Sequence, residues 1–279
     1  MINLTELQHA LLADQVVPYL GSSLLDMTPG GSPVPTTPEA LAILLTSKVT
    51  VPHKIRKRLT AAAQYIENFK HRKSLTQHMA LAFAPEVTPS AILRYLASLP
   101  QLSLLVTSWY DDAAQQALAT RSQWGLVQGL SQSEHFGEWV GYYQPNGQAA
   151  SKVEASAWQT LLYQPLGGVR PAGNYLVSDT DFVEVLTEID IQTPIPEAVQ
   201  QLRSGRHFLF IGCRFNDQLQ RTFARQIMKR SSDRHWAILP DALTRNEQRF
   251  LTEQNITLIP LTLAEFACEM GISADALAA

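Results

Sequence analysis

The sequence predicts an α/β protein, a doubly wound and mostly parallel sheet carrying an all-helical insertion. Three observations carry this expectation. Short apolar runs alternate with segments of helical periodicity, the pattern of strand–helix–strand units. Several of these runs end in a polar or glycine-bearing turn that leads into a helix, which is where an open α/β sheet holds its ligand. Residues 52–98, by contrast, carry helical patterns and no strand.

The elements follow in order. Thr5–Leu12 reads as a short amphipathic helix, with Leu4, Leu7, Leu11 and Leu12 on one face. Val16–Leu20 is an apolar strand ending at Gly21-Ser22-Ser23. Residues 28–37, rich in Pro, Gly, Ser and Thr, form a loop. Pro38–Ser47 is a helix with Thr37 as N-cap and Pro38 at its first position. Three further helical patterns cover Lys54–Phe69, Ser74–Phe83 and Pro89–Ala97. Leu102–Val106 is the second strand and Asp112–Ala119 the helix after it. Within residues 121–158, Val140-Gly141-Tyr142-Tyr143 and the Asn146-Gly147 turn suggest a small hairpin. Thr160–Gln164, a short Asn174–Val177 segment, Phe208–Ile211, Trp236–Leu239 and Thr257–Pro260 complete the strands. Helices at Ser178–Leu186, from Asp217 to Lys229, and at Thr244–Gln254 lie between them. The expected organisation is one domain over residues 1–279 with a helical insertion at 35–98.

Composition narrows the function classes. Of 279 residues, 46% are hydrophobic and 17% charged, which describes a chain able to bury a large core. The net charge of −3 gives no reason to expect a nucleic-acid partner. With only Cys213 and Cys268, neither a disulfide framework nor a four-cysteine zinc site is available. None of the seven histidines has metal-ligand spacing to another His or Cys, so no metal is expected. Residues 1–6 lack a signal-peptide pattern and no run reaches the ~18 apolar residues of a membrane span. The expectation is a cytoplasmic protein with no membrane partner.

The most informative stretch is Leu104-Leu105-Val106-Thr107-Ser108-Trp109-Tyr110-Asp111-Asp112, a buried strand, a polar turn and a helix start. Four other segments accompany it: Val17 to Ser23, Leu166-Gly167-Gly168 with Leu176 to Phe182, Phe208 to Asp217, and Trp236 to Pro260. In this order they resemble the motifs of SIR2-like (sirtuin-related) proteins of bacteria over roughly residues 14–266. These are the first glycine loop, the Thr-Asn-Tyr-Asp turn, the His-Gly turn, the Phe-Ile-Gly strand and the closing strand–helix–strand. The resemblance implies a Rossmann-like sheet that handles NAD or ADP-ribose.

The departures matter as much. The family's Asn, which helps position the ribose and the attacking water, corresponds to Trp109 here. Its His, the general base, corresponds to Leu166, which can neither accept nor donate a proton. The second glycine of the first loop is Ser23, and the Ser of the fourth motif is Arg214. The cysteines of zinc-bearing deacylases are missing. No residue is therefore assigned a catalytic role.

Candidate cofactor-binding residues are Gly21, Ser22, Thr107, Asp111, Gly212, Arg214 and Asp217. Gly21 and Ser22 would line a phosphate loop or form an ordinary turn. Asp111 would touch nicotinamide or ribose, or cap the helix from Ala113, and the cap is preferred. Asp217 carries the same pair of roles. Arg214 would clamp a phosphate or carboxylate, or make a surface ion pair. Trp109 is expected to fill the nicotinamide position, and Cys213 to pack as a small hydrophobe. The basic run His53-Lys54-Ile55-Arg56-Lys57-Arg58, with His71-Arg72-Lys73, would meet an acidic partner or nucleic acid or form a solvated helix face, and the solvated face is preferred.

The leading expectation is a catalytically degenerate SIR2-like domain, a nucleotide-binding, regulatory or scaffold module. It would meet a protein partner or a second copy through the helical insertion. One alternative is an active NAD glycohydrolase in anti-phage defence, needing Glu134 or His135 as substitute base. Another is an accessory protein of a bacterial gene cluster acting through protein contacts.

Overall fold

The computed structural model describes residues 4–191, 194–240 and 242–272. The chain opens with helix α1 (Leu4–Leu12) and strand β1 (Val16–Leu20), followed by a 3-10 helix at Ser22–Met27. Helices α2 (Pro38–Ser47), α3 (Leu59–Ala82) and α4 (Ala91–Ser98) come next. Then follow β2 (Leu104–Thr107), α5 (Ala113–Leu118), β3 (Trp124–Gly129), β4 (Val140–Tyr143), α6 (Lys152–Ala155) and β5 (Thr160–Gln164). A two-stranded ribbon of β6 (Gly167–Gly168) and β7 (Asn174–Tyr175) precedes α7 (Asp179–Ile191) and α8 (Glu197–Arg203). The chain continues through β8 (His207–Ile211), α9 (Gln218–Met228), β9 (His235–Ile238), α10 (Arg245–Glu253), β10 (Ile256–Ile259) and α11 (Leu263–Glu269).

Eight strands form one sheet in the order β10-β9-β8-β1-β2-β5-β3-β4. Every pairing in it is parallel except β3 with β4. From β1 the chain passes to β2, skips a position to β3 and out to β4, returns to insert β5 between β2 and β3, and then crosses to β8 on the other side of β1 and winds outward through β9 and β10. The strand order therefore reverses between β1 and β8, and a doubly wound sheet opens a crevice at such a point. The central strands are apolar because helices cover both faces. Phe208, Leu209, Phe210 and Ile211 are each fully buried, and such a side chain contributes about 1.5–3 kcal/mol by leaving water.

Local signals place the helices near the crevice. Thr37 accepts the Ala40 N–H at 3.1 Å and Pro38 opens α2, as expected from sequence. The expected helices at 54–69 and 74–83 differ in detail. Residues 53–55 make a 3-10 turn, and α3 runs 24 residues from Leu59 with a break at His71 (φ 69°, ψ 154°). Just past the break, Arg72 ties α3 to the sheet side. It bonds the buried Asp181 at 2.8 Å and the Tyr175 carbonyl, and reaches Glu134 at 3.3 Å.

Strand β3 is the main surprise. Its Gly125 and Gly129 argue against a strand, yet they permit close approach. A Cβ at Gly125 would lie 2.1 Å from the Trp158 ring, and one at Gly129 2.1 Å from the Pro165 carbonyl. Gln128 is fully buried in β3 and donates to Gln164 of β5 at 2.7 Å and to the Arg170 carbonyl at 2.7 Å, so neighbouring segments satisfy it.

Candidate functional site

A cavity of about 300 Å³ lies at the carboxyl ends of β1, β2 and β8, at the reversal of strand order. Its floor is aromatic and apolar: Tyr19, Trp109, Tyr110, Leu166, Phe182 and Phe223. Its rim is polar, with Ser22 and Ser23 from the turn after β1, Asn216 and Asp217 from the turn after β8, and Lys57 and Arg58 from the turn before α3.

Four helix starts reach this one space. Ser22 and Ser23 begin the 3-10 helix, Pro38 and Glu39 begin α2, Leu59 and Thr60 begin α3, and Leu219 and Gln220 begin α9. Helix N-termini present unpaired N–H groups and partial positive charge, which favour an anion.

Five of the seven residues singled out from sequence line the cavity: Gly21, Ser22, Gly212, Arg214 and Asp217. Thr107 and Asp111 are buried but are not among its lining residues. Asp111 Oδ1 instead accepts the Ala113 N–H at 2.9 Å, fastening the start of α5. Burial pushes its carboxyl up to about 6, against the lowering effect of that N–H.

The two glycines serve each other. A Cβ on Gly21 would sit 2.3 Å from the Gly212 carbonyl oxygen, and one on Gly212 2.4 Å from the Leu24 nitrogen. Gly212 also has φ +68°, a left-handed conformation that glycine adopts without strain. The turns after β1 and β8 are packed backbone on backbone, with Ser23 N donating to the Gly212 carbonyl at 3.1 Å.

Arg214 makes the ion pair foreseen as one of its roles, but with a buried partner rather than at the surface. Its guanidinium makes a two-point contact with Glu247, both N···O distances 2.9 Å, and Glu247 is fully buried. Burial alone would raise the Glu247 carboxyl, but the Thr244 N–H, the Arg214 fork and the Phe215 N–H hold it below the usual range. The pair joins α10 to the turn after β8, and the fork that would clamp a ligand is engaged internally. Asp217 caps α9, accepting the Leu219 N–H at 2.8 Å.

Trp109 is anchored. Its Nε1 donates to the Pro35 carbonyl at 2.8 Å, and its ring stands edge-on to Phe83 with centroids 5.9 Å apart. Tyr110 donates to the Leu176 carbonyl at 2.8 Å. Burial pushes the Cys213 thiol upward, so it packs as a neutral group. Glu134 and His135 do not line the cavity. Glu134 is bonded to Arg72, Thr76 and Asn174 instead. Sequence reasoning missed Lys57, Arg58, Thr37 and Phe223 as lining residues. The basic run was visible, but nothing local indicates that its turn folds back over the strand ends.

A parallel sheet with a lined crevice at its switch point is the arrangement in which doubly wound α/β domains bind their ligands. Within that class, residues 103–259 match the SIR2-like domain, and the chain belongs to this family. At the family level it is an NAD-related module. No curated protein matches the chain. Among the described residues, no cluster of His, Cys, Asp and Glu could hold a metal ion, and no helix is long and apolar enough to cross a membrane.

Proposed function

We propose that the chain is a SIR2-like module that holds NAD or ADP-ribose in the strand-end cavity without hydrolysing it, and acts as a regulatory or scaffold element. The observation that carries this is the pair Trp109 and Leu166. They stand where the family has its Asn and His, and both line the cavity. An indole offers a single donor, here bound to Pro35, and a leucine offers none, so neither can orient water or take its proton. The remaining floor suits a base or a nicotinamide ring, and the rim suits phosphate and ribose hydroxyls. The helical segment 35–98, with Phe69 and Leu81 exposed on α3, is the surface through which occupancy would reach a protein partner or a second copy.

One observation favours a second reading, an active glycohydrolase. Glu39 is an exposed carboxylate at the rim with no internal partner among the described residues, and could serve as base. A proton NMR time course with NAD at neutral pH decides. Intact NAD with broadened signals is expected. Free nicotinamide above a heat-denatured control overturns the non-hydrolytic reading, and loss of that release in Glu39→Gln would identify the base. Intact NAD with sharp signals removes NAD binding.

A further inference from the structure

The basic run before α3 is exposed, as expected, but lies in a 3-10 turn and the residues after it rather than on a helix face. His53, Lys54 and Arg56 are not among the cavity's lining residues, whereas Lys57 and Arg58 line its mouth. Neither Lys57 nor Arg58 has a side-chain hydrogen bond or ion pair within the described residues. That sets them apart from Arg72, Arg170, Arg206, Arg214 and Arg234, each of which meets a carboxylate. Arg58 is also the N-cap residue of α3 and supplies no side-chain cap, so the first N–H groups of a 24-residue element are left open beside Thr60, another lining residue. The starts of α2 and α9 are different, because Thr37 and Asp217 already accept their N–H groups.

On the strand side of the same cavity, the Gly212 carbonyl packs against Gly21 and accepts the Ser23 N–H, and Arg214 is held by Glu247. The carboxylates on the lining are Glu39 and Asp217. Asp217 faces the α9 N–H groups, so Glu39 is the main opposing charge. A site with two unpaired cations, an open helix start and one opposing carboxylate selects a group of more than one negative charge.

We propose that Lys57, Arg58 and the uncapped first turn of α3 form a clamp for a diphosphate group, so that the helical segment, rather than the glycine turn of β1, holds the anion of the ligand. This deepens the nucleotide-binding reading above and rests on it for the identity of the nucleoside. Lys57 donates as a point charge and Arg58 as a planar fork, a pairing suited to two linked phosphates.

The test is titration calorimetry on the full chain with ADP-ribose, inorganic pyrophosphate and adenosine, at low and high salt. ADP-ribose and pyrophosphate are expected to bind more weakly as salt rises, and adenosine at least about tenfold more weakly than ADP-ribose. Lys57→Gln/Arg58→Gln is expected to raise Kd for ADP-ribose and pyrophosphate about tenfold or more. The charge-keeping Lys57→Arg/Arg58→Lys is expected to retain most of the affinity, and circular dichroism checks that both variants are folded. ADP-ribose binding that the Gln pair leaves unchanged overturns the clamp and leaves the nucleotide reading standing. Pyrophosphate binding that the Gln pair abolishes, with no ADP-ribose binding, keeps the clamp and removes the nucleotide. Failure of both ligands to bind overturns both.

Discussion

Two turns line the cavity, and they differ in how completely their polar groups are used. After β2, the polar side chains are bound inside the chain. Ser108 and Trp109 donate to carbonyls of Leu20 and Pro35, Tyr110 to Leu176, and Asp111 accepts from Ala113. Asp112 accepts from Val87 N at 3.3 Å and Arg170 at 2.6 Å. Before α3, Lys57 and Arg58 make no such bond. The β2 turn lies within the SIR2-like match and behaves as framework. The α3 turn belongs to no motif and holds the unpaired charge. A saturated group is fixed by the fold it supports, whereas an unpaired charge at a cavity is available to a ligand.

That contrast can be broken by substitution. The largest expected effect is on the β2 turn: Trp109→Ala should destabilise the chain by about 3–5 kcal/mol in denaturant unfolding, because a buried indole and its bond to Pro35 are lost. A cost below ~1 kcal/mol, on the scale of surface substitutions, would mean that Trp109 is not framework.

Asp111→Asn is next, with the opposite sign. The Asp111 carboxyl is raised from 3.8 to about 6, chiefly by burial. Its native environment therefore favours the protonated form. The associated stability is present below pH 3.8 and is lost as pH rises through about 6. Asparagine keeps an acceptor for the Ala113 N–H without the charge, so the variant should be more stable at pH 7 by up to about 3 kcal/mol, at 1.36 kcal/mol per pKa unit. The gain should vanish near pH 4, and ADP-ribose affinity should not change. A drop in affinity would return Asp111 to the binding site.

The smallest effect tests the mouth. Thr37→Ala removes the α2 cap at the rim and should cost about 1 kcal/mol. Because it frees N–H groups beside the cavity, it should leave ADP-ribose binding equal or slightly tighter. Weaker binding would show that the Thr37 hydroxyl contacts the ligand.

Much of the fold was legible because its signals are local. The apolar runs at Val16–Leu20 and Phe208–Ile211, the Thr37-Pro38 helix start and the helical pattern at Thr244–Gln254 each act over a few residues. The capping boxes Thr244 with Glu247 and Thr262 with Glu265, which start α10 and α11, were overlooked, although their signals were present. Strand β3 was not legible, since its glycines and Gln128 make sense only against Trp158, Pro165 and Gln164. Asp217 as a helix cap was foreseen from its place before a helical pattern, whereas Glu247, 33 residues beyond Arg214, was not foreseen as its partner.

By itself, the sequence determined the class of sheet and the family, because periodicity and motif order are properties of the chain. Only the tertiary structure decided the strand order, the engagement of Arg214, and the position of Lys57 and Arg58 at the cavity mouth. Each of these depends on which distant segments meet. That is set by burial of the common core, and no short-range pattern records it.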